Sequence, residues 1–138
     1  MKWIYDDGGR SNYYKAKNVR DCVCRAISIA NNKDYKEIYR ELTRLNYGKT
    51  PRNGVSESIY KKLLENLGWK CVECENENVY LKTEDIPAGI VICKISRHLV
   101  AVKNKTIYDT WDCSKAIKGK CKGEYDKVKI IKYWVKVV

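Results

Sequence analysis

Hydrophobic periodicity changes once along this chain, at residue 69, and that change limits the folds open to it. Before it, apolar residues recur at helical spacing. "DCVCRAISIANN" places Val23, Ala26, Ile27 and Ala30 on one stripe, with Asp21 as the expected N-cap. "DYKEIYRELTRL" aligns Tyr35, Ile38, Tyr39, Leu42 and Leu45, and Asp34 with Glu37 has the spacing of a capping box. "SESIYKKLLENLG" repeats the pattern with Ile59, Leu63 and Leu67 and ends on Gly68, where a C′ glycine belongs. From residue 69 the segments "WKCVEC", "GIVICKI", "HLVAV", "TIYDTW" and "KVKIIKYWVKVV" are rich in β-branched and aromatic residues and are separated by turn residues. Helices first and strands after predict an α+β domain in which N-terminal helices pack on a C-terminal antiparallel sheet.

At 138 residues and 44% hydrophobic content the chain has material for one core, so residues 1–138 are expected to form a single domain with at most one active centre. No stretch approaches the roughly 18 apolar residues of a membrane span, and the N-terminus lacks the apolar run of a signal peptide. These features predict a cytoplasmic protein without a membrane partner, placed in the host cytoplasm if a phage encodes it. Seven cysteines would suit a secreted disulfide scaffold, but the number is odd and no export signal is present, so reduced thiols are expected.

The formal net charge is +11, and the excess lies toward the two ends; residues 55–92 carry 4 basic and 7 acidic groups. Such a balance steers polyanions and acidic protein surfaces toward the chain, which makes nucleic acid or an acidic host protein a conceivable partner. The lysines are scattered, as in "KAIKGKCKGEYDKVKIIK", rather than set on a recognition helix with aromatics. A solvated, Lys-rich surface accounts for them more simply.

"SRHLVAVKNKTIYDTWD" holds the only histidine. A two-residue turn at Lys103 and Asn104 would set His98 opposite Asp109, about 4.5–5.5 Å apart at Cβ, the separation that an imidazole and an orienting carboxylate need. A one-residue slip would place them on opposite faces. Asp112 is the other carboxylate near His98 in sequence, but it falls beyond the expected strand pairing. Cys22 follows Asp21 at the predicted start of the first helix, where unpaired N–H groups and the macrodipole favour a thiolate, and Arg20 adds positive charge. Cys24 lies on another face and reads as a small buried hydrophobe. "CVEC", Cys71 and Cys74, has half the spacing of a zinc knuckle, but Cys93, Cys113 and Cys121 supply no second pair.

The order of these residues, with "DCVCRAISIA", "GIVICKISRHLVAVKNKTIYDTWD" and the closing "KYW", resembles small papain-like cysteine peptidases of bacteria and their phages. The "DC" at a helix start is also similar to the leader-peptidase domains of bacteriocin exporters. The resemblance implies a papain-like fold and a thiol hydrolase, a peptidase or deconjugating amidase acting on a protein or peptide. Cys22 would be the nucleophile, His98 the general base and Asp109 the residue that fixes the imidazole tautomer. Neither metal nor cofactor is required by that chemistry. Papain-like enzymes usually carry a glutamine about six residues before the cysteine as an oxyanion donor; Ala16 stands there, and Asn18 is the nearest amide that could replace it. That departure leaves room for a catalytically weak or inactive member of the fold serving as a basic binding or inhibitor module.

Overall fold

In the computed structural model, residues 1–15, 19–74, 76–115 and 128–136 are described. The helical stripes form three helices, α1 (Cys22–Asn31), α2 (Tyr35–Leu45) and α3 (Glu57–Asn66). In α1 burial goes well beyond the apolar stripe: every residue from Val23 to Ala30 is buried, because the helix lies between α2 and the sheet. The two polar residues this takes inside both find partners. The Ser28 hydroxyl donates to the Cys24 carbonyl at 2.7 Å, and Arg25 pairs with carboxylates. Gly68 follows the α3 C-cap Leu67 with φ of +88°, the left-handed conformation that terminates a helix at little cost when no Cβ is present.

Two expected caps are not made by side chains. Asp21 and Asp34 occupy the N-cap positions of α1 and α2, yet neither caps its helix. Stronger partners take them: Asp21 is surrounded by Arg10, Arg25 and the Tyr35 hydroxyl, and Asp34 accepts from the Tyr13 hydroxyl. Glu37 faces Lys33 at 3.7 Å instead of closing a capping box.

Six strands form one sheet: β1 (Lys2–Tyr5), β2 (Trp69–Glu73), β3 (Ile90–Ile95), β4 (His98–Lys103), β5 (Thr106–Asp109) and β6 (Lys132–Lys136), in the order β1-β5-β4-β3-β6-β2. The fold is therefore α+β, but the sheet is mixed. β1, which the sequence pattern does not announce, runs parallel to β5 along one edge, and the other pairs are antiparallel. Ile92, Leu99, Ala101 and Trp134 pack toward the helices. Val91, Cys93, Val100, Val102 and Ile107 pack on the opposite face beneath Leu81, Ile86, Cys113 and Ile130. Coverage of both faces explains why β3 and β4 read as nearly continuous apolar runs.

The β4–β5 turn sits one residue later than expected, at Asn104 and Lys105, both with positive φ (50° and 63°) as a type I′ hairpin turn demands. Val102 consequently pairs with Ile107 rather than with Thr106's neighbour Lys105. Continuing that register places Trp111, not Asp109, opposite His98. The displacement is an even number of residues, so His98 and Asp109 keep the same side of the sheet and become diagonal neighbours within reach of one another. Among the described residues no helix is long and apolar enough to cross a membrane.

Candidate active site

Three strand and helix ends converge at one corner. Cys22 is the first residue of α1, His98 the first of β4, and Asp109 the last of β5. Asp109 is 3% exposed. Its two oxygens are divided between partners: Oδ1 accepts from the Thr110 amide at 2.7 Å and from Arg25 Nη2 at 3.2 Å, while Oδ2 meets His98 Nε2 at 2.5 Å. Its carbonyl is held by Trp3 Nε1 and the Asp6 amide, each at 3.0 Å, so β1 fixes the residue from the far side. Asp112 is engaged elsewhere, accepting from the Ser114 amide and hydroxyl.

Electrostatics tie His98 to Cys22. Burial alone would depress the imidazole pKa; hydrogen bonding to Asp109, Cys113 and Cys22, with the charge of Asp109, overcomes that and pushes it up to about 11. Burial likewise opposes ionisation of the Cys22 thiol, but His98, through hydrogen bonding and charge, then the Leu99 backbone and Arg25, draws its pKa below the usual thiol value. The two shifts run in the directions that favour an imidazolium–thiolate pair. Cys24 shows the contrast: buried with its Sγ 3.6 Å from the Tyr35 carbonyl, it is pushed up to about 12 by burial. With Nε2 turned to Asp109, Nδ1 is the ring nitrogen left to exchange a proton on the other side.

The pair opens into a cleft of about 650 Å³ between the start of α1, the segment 53–57 and the β3–β4 turn. That volume is within the usual range for ligand sites. Arg20 and Arg97 are exposed cations on its wall, whereas Lys94 is joined to Glu57, which also holds Lys132 at 2.8 Å. Trp111 lies against the His98 ring, centroids 5.2 Å apart, and lines the same cleft. Comparison with protein-family models, curated proteins and solved structures finds no match to this chain.

Asn18, the expected oxyanion donor, lies outside the described residues, as does Ala16. The amide of Cys22 belongs to the first turn of α1, whose N–H groups have no intrahelical acceptor. Cys71 and Cys74 do not share a site: Cys71 packs against the helix-side core and Cys74 belongs to the core on the opposite face. Two residues at the corner are not anticipated by the sequence reading. Arg25 bridges Asp21 and Asp109, and its position four residues after Asp21 on a helix was an available signal. Cys113, beyond the end of β5, brings its Sγ within 4.8 Å of a His98 ring nitrogen and an Asp109 carboxylate oxygen, and no local pattern distinguishes it from the other thiols.

Proposed function

We propose that the chain is a small papain-like cysteine hydrolase that cleaves an amide or thioester bond of a protein or peptide through a covalent acyl-enzyme. The observation that carries this reading is the electrostatic pairing of Cys22 with His98, itself bonded to buried Asp109, at the wall of an open cleft. The Cys22 thiolate attacks the carbonyl carbon, and the oxyanion forms beside the Cys22 amide. Once the thiolate is consumed, the imidazolium loses the anion that stabilised it and becomes acidic enough to protonate the leaving group. The neutral ring then takes a proton from water, whose attack releases the acyl group. Asp109 keeps the ring in one tautomer throughout.

Iodoacetamide alkylation tests the pair without a known substrate. At pH 6 Cys22 is expected to react faster than any other cysteine, with a rate that rises below the ordinary thiol range. His98→Ala should move the profile up to the ordinary thiol range or above it, since burial then acts without the imidazolium to oppose it, and slow the reaction at pH 6 on the order of a hundredfold. Asp109→Ala should slow it less, and Asp112→Ala hardly at all. Equal low-pH reactivity in wild type and His98→Ala would sink the hydrolase reading. A second reading, an inactive fold that binds an acidic partner, draws on the net charge of +11 and on Ala16 in the glutamine position. It gains the field if Cys22 behaves as an ordinary thiol.

A further inference from the structure

Cys113 is 1% exposed and packs beneath the sheet corner, on the face of the sheet away from the helices. A nitrogen of His98, a carboxylate oxygen of Asp109 and Sγ of Cys113 all lie within 4.8 Å of one another. We propose that these three side chains form a binding site for a borderline-soft divalent cation, Zn²⁺ being the best match. Nitrogen, oxygen and sulfur ligands suit Zn²⁺ and disfavour Ca²⁺ or Mg²⁺, which take six or more oxygens. Bonds of about 2.0–2.3 Å arranged tetrahedrally separate ligand atoms by roughly 3.3–3.8 Å, so the Cys113 sulfur, now within 4.8 Å of the other two atoms, closes by about 1–1.5 Å at most. The His98–Asp109 contact at 2.5 Å opens by about 0.8 Å as the metal replaces the proton between them.

The surroundings are already those of an oriented ligand set. Oδ1 of Asp109 is held by Arg25 and the Thr110 amide, which leaves Oδ2 as the donor and fixes the carboxylate plane. Three protein ligands leave a fourth position for water. The neutral imidazole, the carboxylate and the thiolate balance the 2+ charge, and binding releases the imidazolium proton and the Cys113 thiol proton. Cys22 stands outside the trio, toward the cleft.

Metal binding itself is independent of the hydrolase reading; its consequence for catalysis rests on that reading. A ring that holds a cation at Nε2 keeps its single remaining proton on Nδ1 and cannot deliver it to a leaving group without becoming an imidazolate. The metal therefore switches off the acid step while leaving Cys22 accessible.

Metal-free full-length protein titrated with Co²⁺, a spectroscopic substitute for Zn²⁺, is expected to bind one equivalent with a thiolate-to-metal charge-transfer band, and Zn²⁺ should displace it. Cys113→Ser should abolish the band and weaken binding at least tenfold; Cys22→Ser should retain both. Because His98 is the only histidine, long-range ¹H–¹⁵N spectra of the wild type with Zn²⁺ read the ring directly, whether or not the variants fold, and Nε2 should shift while Nδ1 stays protonated. An Nε2 resonance unmoved by a saturating excess of Zn²⁺, a band that survives Cys113→Ser, or one lost in Cys22→Ser overturns the site. Alkylation of Cys22 in chelator is scored separately: ordinary reactivity there removes the hydrolase and leaves the metal site standing.

Discussion

Arg25 connects the two buried carboxylates that organise the corner. One guanidinium nitrogen contacts Asp21, another contacts Asp109, and Asp21 is further held by Arg10 at 2.9 Å and by the Tyr35 hydroxyl at 2.7 Å, which in turn meets Tyr14. Among the described residues the Arg25 Nε is buried without a partner, so the side chain forgoes one donor to keep the other two in place. Replacing Arg25 by Met leaves two buried anions short of a counterion, and the cost of removing one partner from such a group is about 3–5 kcal/mol. Arg25→Lys restores the charge but reaches one carboxylate only, so about half of that loss should return. Urea denaturation of the three proteins checks the order. Should Arg25→Met prove as stable as the wild type, the network is neutral to folding and its role is confined to holding Asp109 against His98.

Elements differ in how far the sequence specified them. Helices α1, α2 and α3 and the five later strands follow from apolar content and spacing, because the sheet and the helices bury those residues. β1 does not, because all four of its residues are exposed and its place comes from the free edge of β5. The covering segments around Leu81, Ile86 and Ile130 were equally illegible: their burial answers the second face of the sheet, not a period of their own. The β4–β5 hairpin lies between these cases. Asn104 offered a left-handed residue to either candidate turn, and nothing local revealed that Lys105 would adopt that conformation as well. The pairing of His98 with Asp109 survived the wrong register only because the displacement was even. Holding a lysine left-handed carries a cost that glycine avoids, so Lys105→Gly is expected to stabilise the protein by about 0.5–1 kcal/mol. The loss of the exposed Lys105 Nζ contact to the Thr83 carbonyl subtracts little. A lower urea midpoint for Lys105→Gly would show that this contact outweighs the turn.

At the scale of the whole molecule, strands from opposite ends of the described chain have unequal duties. β6 lies between β3 and β2, paired with both, and contributes Trp134, which is 1% exposed and stacks edge-on against Tyr60 of α3. β1 pairs with β5 alone and buries little, but Trp3 anchors the Asp109 carbonyl. Removing residues 129–138 therefore strips two ladders at once and opens the helix-side core, where loss of a Trp alone costs about 3–5 kcal/mol, a large part of the 5–15 kcal/mol that holds a domain folded. That truncation should lose the near-ultraviolet circular dichroism of fixed aromatic packing and bind ANS, the marks of a collapsed but unpacked chain. Removing residues 1–5 should leave a cooperative urea transition at a lower midpoint. It should also slow low-pH alkylation of Cys22, because Asp109 is freed on the side away from His98. The contrast tests the sheet order directly. A cooperative transition after loss of 129–138, or its disappearance after loss of 1–5, would mean that the interior and edge strands have been assigned the wrong way round.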